Sequence, residues 1–259
     1  MRGLGATDML RLWEIGEGLT GVERAVALLH VGLPNARLDD LYDLGIGQRD
    51  ALLFQLRERT FGPTLRCCTE CPRCASRLEI QLPTSALRVT SDTEDADEVG
   101  VDGDGLFTHQ SGEWRIRFRV PNSRDLTAVA AVASEEEGMQ ELVGRCVAQV
   151  QRVGAGEDET VENVDVAALP PAVLSAVSSE LARRDPQAVL TMSLRCAACG
   201  HAWKSVFDIG SFFYTEVSAQ AQRLAREICV LARAFGWSER DILAMSARRR
   251  QLYLQEAEA

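Results

Sequence analysis

The sequence predicts an α+β fold, mostly helical, with a small antiparallel sheet divided by a helical insert. Three observations predict it. Apolar residues recur at helical spacing near both ends of the chain. Two short segments, Leu78 to Leu82 and Trp114 to Val120, alternate apolar and polar residues as half-buried strands do, and Val189 to Leu194 and Trp203 to Ile209 read as a further strand and its return. Two Cys-x-x-Cys turns, Cys71-Pro-Arg-Cys74 and Cys196-Ala-Ala-Cys199, each abut one of those strands.

The elements follow in order. Residues 1 to 20 are glycine-rich and weakly patterned. Thr20 and Glu23 form a capping box, and Val22, Ala25, Val26 and Leu29 then recur at helical spacing up to Gly32. Leu38 to Leu44 reads as a short helix. A longer one runs from Gln48 to about Thr60. It buries Leu52, Leu53 and Leu56 and shows Arg49, Asp50, Arg57 and Glu58 to water; Phe61-Gly62-Pro63 breaks it.

Residues 91 to 105 read as a solvated acidic loop. In the strand from Trp114 to Val120, residues Trp114, Ile116, Phe118 and Val120 share a face. Asn122 or Ser123 caps a helix to about Ser134, and a second runs from Met139 to about Val153. A Gly/Glu loop follows at 154 to 163. Pro171 opens a helix to about Arg184, stopped by Asp185-Pro186. After the second cysteine turn and its returning strand the chain is helical. Glu216 to Ala234 ends at Gly236, Ser238 caps a further helix, and a last one surrounds Arg248-Arg-Arg250.

The expected organisation has five parts. These are an N-terminal helical region (1–66), a first knuckle with strands and acidic loop (67–120), a helical insert (121–187), a second knuckle with strands (188–210) and C-terminal helices (211–259).

Composition narrows the function classes. The 259 residues are 46% hydrophobic and 25% charged, as in soluble globular chains. The net charge of -10 repels phosphate backbones and anionic lipid heads, so neither nucleic acid nor a membrane surface is the expected partner. No apolar run spans a bilayer and the N-terminus lacks signal-peptide features, so a cytoplasmic protein is expected. Eight cysteines in such a chain point to thiols or metal rather than disulfides.

A Cys-x-x-Cys turn offers two thiolates, half of the tetrahedron that zinc prefers. Two such turns predict one structural zinc on Cys71, Cys74, Cys196 and Cys199. This is a zinc-ribbon pattern, but split. The gap between its halves is 121 residues, against roughly 15 to 20 in a compact ribbon. The competing reading is two unrelated cysteine pairs. Cys67, Cys68 and His201 also compete for a ligand position. Cys71 and Cys74 are preferred because their turn runs directly into the strand. Cys146 and Cys229 read as core residues on helices.

A four-thiolate shell has no open position and cannot activate water, which argues for structure over catalysis. Asp102-Gly-Asp-Gly105 resembles a calcium loop but has Leu106 and Phe107 where a ligand and the turn glycine belong. No phosphate loop, nucleophile elbow or dinucleotide fingerprint is present. No enzyme is expected.

The order of motifs also resembles a family of baseplate-associated proteins of contractile-tailed phages and related contractile injection systems. The matching pieces are Leu44-Gly-Ile-Gly-Gln-Arg-Asp50, the two knuckles, Phe118-Arg-Val-Pro-Asn-Ser-Arg-Asp-Leu126, Asp185-Pro186, Phe207-Asp-Ile209 and the tail from Gly236 to Tyr253. The resemblance implies a structural or assembly protein that contacts other baseplate, hub or spike proteins, either during assembly in the cytoplasm or within the particle. The alternative is a zinc-ribbon nucleic-acid-binding or transcription-related protein.

Overall fold

The computed structural model describes residues 1–88, 105–153 and 161–257. The first helix, α1 (Ala6–Gly16), lies where no pattern was expected. Asp8 accepts a 2.8 Å hydrogen bond from the Gly5 amide, and Met9, Leu10 and Leu12 are buried. In α2 (Gly21–Gly32) the capping box forms as read: the Glu23 amide donates to Thr20 Oγ1 and the Thr20 amide to Glu23 Oε2. Two further helices follow, α3 (Leu38–Asp43) and α4 (Ile46–Phe61). Gly62, at φ +87°, and Pro63 end α4.

Strands β1 (Thr64–Glu70) and β2 (Arg77–Pro83) form a two-stranded sheet, with the first cysteine turn between them. Strand β1 is an addition to the expected set; it carries Cys67 and Cys68. The acidic loop and the calcium-like sequence lie outside the described residues, except Gly105. Strands β3 (Phe107–Ser111) and β4 (Trp114–Phe118) pair antiparallel around Gly112. Val120, expected on β4, lies beyond its end. Asn122 accepts from the amides of Arg124 and Asp125 and so caps α5 (Ser123–Val129), which is shorter than predicted.

The predicted helix from Met139 to Val153 is two elements, α6 (Glu135–Cys146) and strand β5 (Val147–Val153). Valines at 147, 150 and 153 fit a helical stripe, but β-branched residues also favour a pleated surface. Pairing with β4 decides between them. Of the predicted loop at 154 to 163, residues 154–160 lie outside the described residues and Val161–Asn163 form β6.

Next come α7 (Pro171–Arg184), β7 (Leu190–Arg195) and β8 (Ala202–Phe207), the last two antiparallel and joined by the second cysteine turn. The expected helix from Glu216 is α8 (Ile209–Phe235), one helical stretch of 27 residues. Gly236, at φ 67°, ends it. Ser238 caps α9 (Glu239–Ala244), and α10 (Ala247–Ala257) follows. The α+β class, mostly helical with small antiparallel sheets, holds.

The chain forms two compact units. The first comprises Met1–Ala36, Leu53–Thr64 and Asp208–Ala259. Its long helix α8 packs on α1, α2 and α10. Phe213 meets Phe61 edge to face with ring centres 6.0 Å apart. Arg57, expected in solvent, is buried: its guanidinium grips the Glu216 carboxylate at 2.9 and 2.7 Å and donates to the Gly62 carbonyl. Cys229, expected in the core, is exposed.

The second unit comprises Arg37–Leu52 and Leu65–Phe207. A four-stranded sheet in the order β3-β4-β5-β6 packs against α6 and α7. Ile116, Phe118, Val143, Cys146, Val150 and Val177 form its core, so Cys146 is buried as expected. Arg49 and Asp50, also expected in solvent, are buried in this unit. The hairpins that carry the cysteine turns belong to the same unit.

Candidate metal centre

The two cysteine turns have one geometry. In the first, the Cys71 amide donates to the Ser76 carbonyl at 3.0 Å and the Ala75 amide donates to the Cys71 carbonyl at 2.9 Å. In the second, the Cys196 amide donates to the His201 carbonyl at 2.8 Å and the Gly200 amide to the Cys196 carbonyl at 3.0 Å. The residue that turns the chain is left-handed in both, Ala75 at φ 56° and Gly200 at φ 72°. Glycine adopts that conformation freely; alanine adopts it at a cost.

Each turn ends a strand and starts its partner, so hairpin pairing aims the sulphurs. Cys71 and Cys196, the leading cysteine of each turn, are 2% exposed. Cys74 is exposed and Cys199 half-buried. The sulphurs cross-pair between hairpins: Cys71 Sγ lies 3.7 Å from Cys199 Sγ, and Cys74 Sγ lies 3.6 Å from Cys196 Sγ. All four lie within 4.8 Å of one another. Four thiolates about 2.3 Å from a central zinc sit about 3.8 Å apart on the edges of a tetrahedron. The residues present fit that group.

Electrostatics points the same way. The Ser76 hydroxyl, 3.3 Å from Cys74 Sγ, and the Ser76 amide pull the Cys74 thiol down to about 6. At Cys199 the His201 amide favours the thiolate, but burial and the three neighbouring sulphurs outweigh it and push the thiol up to about 12. One negative sulphur forms readily and resists a second beside it. A central cation removes that resistance.

The competing ligands are placed elsewhere. Cys67 and Cys68 lie on β1, with Cys68 Sγ 3.3 Å from an Arg77 guanidinium nitrogen. His201 stacks on Trp203 with ring centres 6.0 Å apart. Neither belongs to the four-sulphur group. Among the described residues no other cluster of His, Cys, Asp and Glu gathers in this way.

Sequence reasoning missed a second feature, a buried polar cluster. Arg49 bonds Asp50 at 2.8 Å and Ser123 Oγ at 3.2 Å. Asp125 takes bonds from Arg119, Arg145 and the Asn122 amide. Gly45 bridges Asn122, and the Ile46 amide donates to the Pro121 carbonyl. Asp185 accepts from the Gly47 amide. Three motifs far apart in sequence thus interlock. Arg-Asp pairs placed just after Gly or Pro turns are the only local signal of it, and they read equally well as a solvated face.

No helix among the described residues is long and apolar enough to cross a membrane. Residues 34–214, more than half of the chain, match the family described as T4 bacteriophage base plate protein. The matched span takes in both cysteine turns and the buried polar cluster. No curated protein and no solved structure matches the chain.

Proposed function

Because this chain belongs to the T4 bacteriophage base plate protein family, we propose that it is a non-enzymatic structural or assembly protein of a contractile, phage-tail-like baseplate, stapled by one structural zinc on Cys71, Cys74, Cys196 and Cys199. The observation that carries the reading is the coincidence of the family match with the four-sulphur cluster. The sulphurs lie within 4.8 Å of one another although 121 residues separate the two turns.

An all-thiolate donor set selects a soft or borderline ion such as zinc over magnesium or calcium. Zinc supplies the positive charge that lets four thiolates coexist, and so ties one hairpin to the other. Cys71 and Cys196 bind from the buried side, Cys74 and Cys199 from the open side. Ala75 and Gly200 hold the two turns in matching shape. With four protein ligands the shell is closed, which supports a staple rather than a catalyst. The partners in this reading are other baseplate, hub or spike proteins, met in the cytoplasm where particles are built. The net charge of -10 favours protein surfaces over nucleic acid as partners.

The experiment is affinity purification of the chain from cells that are assembling particles, with parallel blotting of mature particles and of baseplate intermediates. Co-purification with baseplate subunits is expected. Absence from both particles and intermediates would overturn the reading.

A further inference from the structure

Helices α6 and α7 leave a groove of about 520 Å³ on the surface of the second unit. Its floor is apolar: Met139, Val143, Pro171 and Leu174. The charges that line it are Glu135 and Glu136, both exposed, and Glu137 and Glu141 on the same helix are exposed too. Met139 is 48% exposed, a large apolar side chain left in water. Its sulphur sits 3.4 Å from the Ser178 hydroxyl on α7, so it spans the groove.

Helix α10, in the first unit, offers the converse surface. Arg250 and Leu254 are buried, and Arg250 pairs with Glu227. The opposite stripe carries Arg248, Leu252 and Gln255 at helical spacing, all exposed, with Arg249 beside them. Leu252 is 55% exposed. One surface is an apolar trough with acids on its α6 side and serines, Ser175 and Ser178, on its α7 side. The other is a helix whose exposed side carries one leucine and two arginines, with Glu256 one turn beyond the leucine. Each has what the other lacks in charge and shape.

We propose that α10 of one copy docks in the α6–α7 groove of a second copy, with Leu252 against Met139 and Leu174, and Arg248 and Arg249 facing Glu135 and Glu136. Each copy gives a helix at one place and a groove at another, so the contact closes reciprocally as a two-fold dimer or runs on as a ring or a row. The whole-chain charge of -10 opposes association at long range, but that repulsion is screened beyond about 8 Å at 0.15 M salt. The proposal is independent of the baseplate reading and of the metal.

The test is sedimentation velocity of the zinc-loaded full chain at 0.15 M salt, up to about 1 mM protein, the weak end of specific association. The wild type is expected to show a mass that rises with concentration. Leu252→Arg spoils the helix and leaves the groove; Met139→Arg spoils the groove and leaves the helix. Both sites are exposed, so both variants should fold, which circular dichroism checks. Each variant alone is expected to stay monomeric. An equimolar mixture is expected to form a 1:1 dimer and nothing larger, because only one intact groove and one intact helix remain per pair. A wild type that stays monomeric overturns the proposal, as it would if the groove receives a different protein. Variants that self-associate like wild type, or a mixture that forms no dimer, overturn it too.

Discussion

The Gly47 amide donates a 2.9 Å hydrogen bond to the Asp185 carboxylate, across 138 residues of sequence. Gly47 lies in the first turn of α4, whose amides have no partner within the helix. Asp185 ends α7 and supplies the missing acceptor from another element. The approach is so close that a Cβ at Gly47 would overlap that carboxylate.

Gly47→Ala is therefore expected to push Asp185 away and leave a buried amide unsatisfied, a loss of about 1–3 kcal/mol. Gly144 lies within α6 with nothing within 4 Å of an added Cβ. Gly144→Ala should instead stabilise by about 0.5–1 kcal/mol. Urea unfolding of the two variants should shift in opposite directions.

Removing Arg57 should cost far more than removing Arg124. Arg57 is 3% exposed and holds Glu216 through two bonds. Stripping one partner from a buried pair costs about 3–5 kcal/mol, and the 25% exposure of Glu216 reduces this to about 2–3 for Arg57→Ala. Arg124 pairs with Asp39 and Asp43 on the surface, where solvent screens such pairs and they contribute little. Chemical denaturation of both alanine variants measures the contrast.

Elemental analysis is expected to find one zinc per chain. Cys71→Ser and Cys196→Ser should each lose the metal and the cooperative unfolding of the unit, since binding energy is folding energy at such a site. Cys67→Ser and Cys68→Ser should keep it. Metal retained in both of the first two variants would sink the shared centre.

The matching turns give a paired prediction. Ala75 stands at φ 56° where the second turn has Gly200 at φ 72°. Ala75→Gly should relieve about 1 kcal/mol of backbone strain, and Gly200→Ala should add about as much. Thermal melts of the zinc-loaded protein read both.

Acid should weaken the second unit through Asp125. Burial opposes its charge, but the bond from Arg119, the Asn122 amide and Arg145 outweigh burial and hold the carboxyl below its usual range. A lowered folded value means stability that is fully present above the ordinary carboxylate pKa of about 3.9 and lost as the pH falls through the lowered value. Asp185 runs the other way. Burial raises it against the Gly47 bond, so its contribution is present below the ordinary value and lost as the pH rises through the raised one. Stability measured from pH 7 downward should fall less steeply in Asp125→Asn than in wild type.

Local chemistry was readable from residues alone. The Thr20 capping box, the Gly236 stop, the hairpin after Cys196 and the pairing of cysteines within each turn all depend on neighbours a few positions apart. The strand at 147 to 153 was not readable. Its valines satisfy a helical stripe and a pleated face alike, and only β4 alongside makes the extended form the one with its hydrogen bonds met. Helix α1 was hidden by the glycines around it, because its stability comes from burying Met9, Leu10 and Leu12 against the rest of its unit.

By itself, then, the sequence determined the fold class, the two knuckles and their likeness to baseplate proteins. Spacing along a chain dictates turns, caps and periodicity. The tertiary structure alone decided that the four sulphurs meet, that Cys67 and Cys68 stand apart on a strand, and that Arg49, Asp50 and Arg57 are buried. An arginine on a helix shows the same spacing whether it faces water or a carboxylate. Which one it faces depends on a residue such as Glu216 or Ser123, brought there by a fold that no local pattern contains.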